Sequence, residues 1–267
     1  MQSGAIRPLN NMLPRNLFNA EHEAFRETVR KFYAKEVVPN IEKYEQQQHV
    51  DRELWNKAGT MGLLCATMPE AYGGSGVDRL YSMILIEEQA YAMDSSTGFS
   101  LHSDIVANYI NNFGNEAQKH YWLTRMASGE TVTAIAMTEP GTGSDLQAVR
   151  TTAFLDGDDY IINGSKIFIT NGYLCDMAIV VCKTGDSEKG SANLSLIIVE
   201  TDRAGFSKGK PLNKIGMKGQ DTCELFFDHV RVPKENLLGM EGMGFMMLMK
   251  ELAWERMLVA IICQAGA

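Results

Sequence analysis

Apolar side chains recur every three or four positions through the first 130 residues, which is the spacing of amphipathic helices. The first run begins after Asn19, whose side chain suits a helix N-cap, and Pro39 is expected to end it. The glycine-rich segment 69–76 interrupts the pattern and is predicted to be a loop. Further helices are predicted at 54–61, 80–91, 105–113 and 116–126.

The pattern changes at residue 131. Residues 131–137 alternate and are rich in β-branched side chains, which is typical of a strand. The segment 156–159 is predicted to be a turn, and Asn163-Gly164 is predicted to be the turn of a hairpin. Several short strands without helices between them predict an antiparallel β-barrel or sandwich, and therefore an α+β fold. These strands are predicted at 153–155, 160–162, 166–169, 177–183 and 194–200.

The last predicted helix begins at about Gly244 and runs to the final residue. Since the chain stops inside it, before any cap or turn, we expect this helix to be the first of a truncated C-terminal helical bundle. The predicted domains are an N-terminal helical domain at 1–130, a middle β-domain at 131–240 and the start of a C-terminal helical domain at 241–267.

Charge and cysteine content exclude several kinds of protein. A formal net charge of -8 argues against nucleic-acid binding, which requires clustered Lys and Arg. The N-terminus, with Arg7, Pro8 and Pro14, lacks the apolar run of a secretion signal, and no stretch is long enough to span a membrane. We therefore expect a cytoplasmic protein with no membrane or metal partner. The cysteines lack metal-site spacing and are expected to be reduced and buried: Cys65, Cys175, Cys182, Cys223 and Cys263.

Two loop segments could contact a ligand. In residues 138–145, two glycines and small hydroxyl side chains would let backbone N–H groups approach an anionic or carbonyl-rich ligand, although such loops are also common turns. In residues 168–172, the Phe168 ring could stack on a planar heterocycle and the Thr170 hydroxyl could bond a ring nitrogen. A core phenylalanine and a turn threonine are the alternative interpretation.

Glu255 is the candidate catalytic residue. It falls on an apolar seam of the last helix, where burial would raise its pKa and suit it to accept a proton from a carbon acid. The alternative is a structural glutamate paired with Arg or Lys, or one that is not buried. Single histidines such as His102 and His229 are expected to be structural. The seam is predicted to consist of Phe245, Leu248, Leu252, Glu255, Val259 and Ile262.

Together, and in this order, the three segments resemble the acyl-CoA dehydrogenase family, and the resemblance covers nearly the whole chain. Residues 136–145 and 164–171 resemble the family's two flavin segments. The Glu255-Arg256 pair resembles the long-chain branch, where the base lies on the first helix after the β-domain. Phe168 stands where many members have Trp. Further similar motifs lie at 69–74, 87–88, 216–222 and 230–239.

The resemblance implies FAD-dependent α,β-dehydrogenation of acyl-CoA to trans-2-enoyl-CoA in fatty-acid β-oxidation. Glu255 would take the C2 proton while a hydride leaves C3 for FAD, and electrons would pass to an electron-transfer flavoprotein. A full-length chain would form a homodimer or homotetramer. A truncated, non-catalytic remnant that binds acyl-CoA or flavin, and a related flavin oxidase, are the alternatives.

The resemblance also assigns residues to each ligand. The implied FAD-binding residues are Ile135, Ala136, Met137, Thr138, Glu139, Pro140, Gly141, Thr142, Gly143, Ser144, Phe168, Ile169 and Thr170. The implied substrate-binding residues are Ser144, Met246, Ala253, Trp254, Glu255 and Arg256.

Overall fold

The computed structural model describes residues 15–185 and 193–267 of the protein, and its N-terminal half is helical up to Ala127. The Asn19 side chain accepts a hydrogen bond from the His22 backbone, so it caps the first helix as predicted. The helices are α1 (Ala20–Phe32), α2 (Ile41–Gln47), α3 (Arg52–Thr60), α4 (Arg79–Tyr91), α5 (Ala107–Phe113), α6 (Glu116–Gln118) and α7 (Thr124–Ala127). Wider π-helical turns lead into α5 at Leu101–Val106 and join α6 to α7 at Lys119–Leu123.

Pro39 does not end the first helical run, so that prediction was wrong. The chain passes from α1 through a π-helical turn at Tyr33–Val37 and a 3-10 turn at Val38–Asn40 directly into α2. Proline is tolerated here because it lies in the first turn of the 3-10 segment, where its missing N–H costs no hydrogen bond. The run ends at Gln48, which adopts a left-handed conformation with φ of 63°.

Within the described residues, eight strands form one sheet, in the order β6-β7-β3-β2-β4-β5-β8, with β1 paired to β4. Most neighbours are antiparallel, as predicted. The β1–β4 and β2–β4 pairs are parallel, so the sheet is mixed rather than purely antiparallel. The strands are β1 (Thr133–Ala136), β2 (Thr152–Asp156), β3 (Asp159–Thr170), β4 (Met177–Lys183), β5 (Leu194–Glu200), β6 (Phe206–Lys208), β7 (Thr222–Pro233) and β8 (Leu237–Leu238).

The Asn163-Gly164 pair lies inside β3 and is not a hairpin turn, contrary to the prediction. The β2–β3 hairpin instead turns between Asp156 and Asp159, which pair with each other. At Gly164, β3 carries a bulge against β7, and φ is 149°. A Cβ at this position would lie 2.5 Å from Thr151 Oγ1, so glycine is required by a close approach of neighbouring chain rather than by a turn.

The predicted last helix is confirmed as α8 (Gly244–Gly266), which packs against α4, α5 and β5. No helix in the described part of the chain is both long and apolar enough to cross a membrane. Four cysteines are buried as expected, but Cys263 is exposed on α8, which corrects the prediction for that residue. The expectation about the first 14 residues lies outside the described residues.

The core that positions the site lies between the helices and one face of the sheet. Fully buried residues from α5, β4, β5 and α8 meet there, among them Tyr109, Ile179, Leu196 and Met247. Alternate positions of the same strands, such as Val180 of β4, pack into a second cluster on the opposite face of the sheet. The alternation of side chains along the strands thus fixes which of them face the helices and which face away.

Candidate active site

The three segments singled out in the sequence border one cleft. This cleft has a volume of about 340 Å³ and is bounded by the 137–146 segment, the end of β3, the start of the Leu101–Val106 turn and α8. Leu252 is the α8 residue that lines it; Glu255, three residues later on the same helix, is not among the lining residues. The cleft is therefore a site where a loop, an aromatic ring and an apolar residue of α8 come together.

Eight of the thirteen residues predicted to bind FAD line this cleft. The other five do not line it: Ala136 ends β1, and the rest lie in the loop after β1, namely Glu139, Pro140, Gly141 and Thr142. Those that line the cleft are Ile135, Met137, Thr138, Gly143, Ser144, Phe168, Ile169 and Thr170.

The loop after β1 is held closed by its own backbone. Glu139 N–H donates to Thr142 O at 2.9 Å, and Thr142 N–H donates to Glu139 O at 3.0 Å. A Cβ added to Gly141 or Gly143 would meet no protein atom within 4 Å. Since the fold itself does not crowd these glycines, the space beside them is available to a ligand that approaches the backbone closely.

A buried ion pair anchors this loop to β3. Lys166 has no exposed side-chain surface, and its Nζ donates to Glu139 Oε1 at 2.9 Å and to Met137 O at 3.0 Å. The carboxylate also accepts hydrogen bonds from the Thr151 hydroxyl and from two backbone N–H groups, those of Arg150 and Thr151. Burial alone would raise the pKa of Glu139, but the Lys166 charge and these hydrogen bonds lower it. Its carboxylate is therefore occupied by structural contacts.

Phe168 is presented to the cleft at an unusual backbone angle. Its φ is 60° and its side chain is 62% exposed, although it belongs to β3. A non-glycine residue in this region is strained, and such strain is found most often at functional sites. The preceding Ile167 N–H donates to Thr138 O at 2.9 Å, which ties the aromatic segment to the glycine-containing loop.

Glu255 is half-buried and has one direct partner. The Tyr109 hydroxyl of α5 donates to Glu255 Oε1 at 2.8 Å. Burial raises the pKa of Glu255 above its usual value, the negative charge of Glu251 adds to the rise, and the hydrogen bond from Tyr109 opposes it. No Arg or Lys is among the groups that set its pKa in the described structure, so the alternative of a glutamate paired with a cation is not what the geometry shows.

The buried face of α8 differs from the predicted seam. Val259 is 60% exposed, and the acidic residue on the fully buried face is Glu251, not Glu255. The helix is apolar on nearly every side, so periodicity alone does not decide which face is covered. The buried residues of α8 are Gly244, Met247, Leu248, Glu251, Leu258 and Ile261.

The other predicted substrate residues do not all face the cleft. Ser144 lines it. Met246 and Arg256 are exposed, as is Ala253. Trp254 is half-buried beneath the Arg79 guanidinium, at 4.4 Å from the ring centre. Tyr109, Asn112 and Glu251 form a polar cluster that the sequence reading did not identify; the one available signal was that Glu251 precedes Glu255 by one helical turn.

The two histidines considered in the sequence analysis, His102 and His229, do not line the cleft. His102 is fully buried between Thr133 Oγ1, at 2.8 Å from Nδ1, and Met126 O, at 3.1 Å from Nε2. Since the carbonyl can only accept, Nε2 carries the proton and Nδ1 accepts from Thr133. Burial lowers the pKa of His102 to about 4. His229 is exposed beside Asp228. Across residues 15–185 and 193–267, no group of three His, Cys, Asp or Glu side chains could hold a metal ion.

Two family models match the chain, one over its helical part and one over its β-sheet part. Residues 19–130 match the N-terminal domain of acyl-CoA dehydrogenase, and residues 134–230 match the middle domain of acyl-CoA dehydrogenase. A long-chain specific acyl-CoA dehydrogenase, mitochondrial, from Sus scrofa is 50% identical over 97% of this chain. An isovaleryl-CoA dehydrogenase from Pongo abelii is 37% identical over 92% of it. The chain spans 61% and 59% of these two relatives, respectively.

Solved structures agree with this comparison. An acyl-CoA dehydrogenase from Geobacillus kaustophilus superposes with a TM-score of 0.91 at 46% identity, covering 94% of this chain and 66% of that one. A butyryl-CoA dehydrogenase from Megasphaera elsdenii superposes at 0.86 with 34% identity, covering 95% and 67%. A Bacillus anthracis homologue, 36% identical with a TM-score of 0.86, was solved in complex with FAD. The predicted fold, helices followed by a β-sheet and a final helix, is confirmed.

Proposed function

The chain belongs to the acyl-CoA dehydrogenase family, and from this premise we propose that it binds FAD and acyl-CoA at this cleft and removes a proton from C2 of the acyl chain through Glu255. One observation carries the proposal: a carboxyl group with a raised pKa lies one helical turn beyond a residue that lines the cleft bordered by both predicted flavin segments. Because the chain spans 61% of its Sus scrofa relative, the dehydrogenase activity of the whole protein is a proposal for this chain.

The residues of the cleft suit a flavin. Gly141 and Gly143 leave the loop backbone approachable, and Thr138 and Thr170 supply hydroxyl groups at the two sides of the cleft. The exposed ring of Phe168 offers a flat surface for stacking. When bound, FAD would accept the hydride that leaves C3 of the substrate.

Glu255 would act as the general base. The thioester carbonyl acidifies C2, and a carboxylate removed from water accepts that proton more readily than an exposed one. The C2 proton would move to a Glu255 carboxylate oxygen, and loss of the hydride from C3 would leave a trans-2-enoyl thioester. Leu252 and Leu101 would exclude water from the reacting carbons, because both are apolar residues that line the cleft.

The remaining assignments form part of the proposal. Ser144 would contact both ligands, and Met246, Ala253, Trp254 and Arg256 would contact acyl-CoA from α8. Electrons would pass to an electron-transfer flavoprotein, in β-oxidation, and a full-length chain would form a dimer or tetramer. We also propose domain limits at residues 130 and 240 and a cytoplasmic location. The Sus scrofa relative is named mitochondrial.

The test is flavin reduction by substrate. The purified chain is titrated with FAD and then mixed anaerobically with octanoyl-CoA or palmitoyl-CoA while the flavin absorption band is followed. We expect bleaching in the wild type and in Glu235→Gln, an exposed control that does not line the cleft. In Glu255→Gln we expect acyl-CoA to bind without bleaching, a loss of at least about a thousandfold in rate. Retained bleaching in Glu255→Gln, or a wild-type chain that binds neither ligand, contradicts the proposal.

One structural neighbour favours a second candidate. A prolyl acyl carrier protein oxidase shares the fold with a TM-score of 0.83 at 27% identity. If oxygen were the acceptor of electrons here as well, wild-type chain with FAD and acyl-CoA would produce hydrogen peroxide continuously in air. Stoichiometric bleaching without sustained peroxide excludes the oxidase.

A further inference from the structure

Two acidic residues on α8 meet two polar residues on α5. Glu251 and Glu255 are one turn apart on α8, and Tyr109 and Asn112 are one turn apart on α5. Tyr109 Oη donates to Glu255 Oε1, and Asn112 Nδ2 donates to Glu251 Oε1, each at 2.8 Å. Residues three or four apart share a helix face, so the two hydrogen bonds lie side by side between α5 and α8.

The Tyr109 hydroxyl is an obligatory donor. Its side chain is fully buried, and burial raises its pKa far above the usual value, so it stays protonated at any ordinary pH. A hydroxyl with a single hydrogen atom that donates to a carboxylate fixes one oxygen of that carboxylate in place. In this structure, Tyr109 therefore restricts where the second oxygen of Glu255 can point.

Glu251 is more deeply buried than Glu255. It is 4% exposed, and its hydrogen-bond partner, the Asn112 amide, is neutral. A neutral donor can satisfy a carboxylate oxygen without offsetting a negative charge, and low surrounding polarity strengthens the effect of such a charge on a neighbouring acid. A like charge one turn away makes Glu255 bind a proton more strongly.

We propose that Tyr109 is a positioning residue for Glu255 and that the buried carboxyl group of Glu251, one turn away, strengthens Glu255 as a proton acceptor. This inference rests on the proposed function, in which Glu255 is the base. It adds two residues that neither touch the reacting carbons nor line the cleft.

Other charged groups around α8 are engaged elsewhere. On α4, Arg79 stacks over Trp254, and in the Leu101–Val106 turn, Asp104 accepts from the Ser82 hydroxyl at 2.5 Å. On α8 itself, Arg256 is exposed, and Lys250 lies over the Phe113 ring at 5.3 Å. Glu200, at the end of β5, is bonded to Arg203. Tyr109 and Glu251 are therefore the groups to change.

The test measures Glu255 directly. The chain is labelled with carbon-13 at the glutamate carboxyl groups, and the Glu255 signal is assigned by its disappearance in Glu255→Gln. Tyr109→Phe removes a hydrogen bond to the charged form, so the midpoint of the Glu255 titration should rise by about one pH unit. Glu251→Gln removes a like charge, so the midpoint should fall by about half a unit or more. Tyr121→Phe, an exposed tyrosine on the π-helical turn, should leave it unchanged.

Flavin reduction supplies the second measurement. Tyr109→Phe should lower the limiting rate of reduction about tenfold at a pH above the Glu255 midpoint while KM stays within twofold, because orientation is lost and binding is not. Unfolding midpoints of each variant identify a change that is merely structural.

The outcomes separate the two proposals. Opposite shifts of the Glu255 midpoint in Tyr109→Phe and Glu251→Gln, together with the tenfold rate loss, support the inference. Unchanged midpoints overturn it, even if Glu255→Gln abolishes reduction and so supports the proposed function. Opposite shifts combined with normal flavin reduction in Glu255→Gln would mean that the hydrogen-bonded cluster exists but Glu255 is not the base. That outcome overturns both proposals.

Discussion

Replacing Lys166 by methionine tests how the loop after β1 is held. The change removes a charged nitrogen and keeps most of the side-chain volume, so it creates little cavity at this fully buried position. Glu139 then remains buried with a negative charge and no cation. Its three other hydrogen bonds, from the Thr151 hydroxyl and from two backbone N–H groups, still satisfy part of that charge.

The size of the loss follows from these contacts. Removing one partner of a buried ion pair typically costs about 3–5 kcal/mol, and the retained hydrogen bonds place Lys166→Met near the lower limit, at about 3 kcal/mol. The double variant Lys166→Met/Glu139→Gln leaves no unpaired charge and should recover at least half of this loss. Urea unfolding followed by circular dichroism at neutral pH measures both values.

The pH dependence supplies an internal check. The folded-state pKa of Glu139 is depressed, so its contribution to stability is present above the unfolded value of about 4.3 and is lost as pH falls. The destabilisation in Lys166→Met should therefore shrink as the pH is lowered towards 4. A loss below about 1 kcal/mol at neutral pH, or a double variant no more stable than the single one, would refute this account of the loop.

Two further changes test the packing behind the cleft. Since burial lowers the pKa of His102 to about 4, its contribution is fully present above the unfolded value of about 6.5 and is lost as pH falls. The stability of wild type relative to His102→Gln should then decrease by about 2 kcal/mol between pH 7 and 4.5 in urea unfolding, and a difference independent of pH would be contrary evidence. Gly164→Ala would place a Cβ 2.5 Å from Thr151 Oγ1, so thermal unfolding should show a loss of stability of about 2 kcal/mol or more. In the control Gly157→Ala, the new Cβ meets nothing within 4 Å, and the expected loss is about 1 kcal/mol. Equal losses in the two variants would contradict the crowding argument.

Local patterns predicted most of the helices and the strands from β1 to β5, because each depends mainly on short-range spacing, whereas β6, β7 and β8 were not predicted. The cap at Asn19 and the hairpin turn between Asp156 and Asp159 were both found where the sequence placed them. The wrong hairpin prediction had a non-local cause. Asn163-Gly164 has the composition of a turn, but β7 pairs with β3 on both sides of it, and the glycine accommodates Thr151. Tertiary pairing outweighed the local preference.

The site was predicted as a set of segments rather than as a set of contacts. The 138–145 and 168–170 segments do border one cleft, and Leu252, which precedes Glu255 by three residues on α8, lines it as well. The contacts within the loop could not be predicted, because the Glu139 partner, Lys166, is supplied by β3 and not by a neighbour in sequence. Composition identified the loop as approachable; the fold determined which of its side chains face inward.

The last helix shows most clearly why the sequence identified a candidate acidic residue but not the residues that contact it. On a helix that is apolar on nearly every side, hydrophobic spacing does not select a face, and the predicted seam therefore included the exposed Val259 and omitted the buried Glu251. The face is selected by α4 and α5, which pack against α8. Once α5 is in place, Tyr109 and Asn112 satisfy two carboxylates that would otherwise be costly to bury. A helix that carries Glu251 and Glu255 on an apolar surface thus requires donors from its neighbour, and that requirement, more than periodicity, is the feature by which a buried carboxyl group can be found in a sequence.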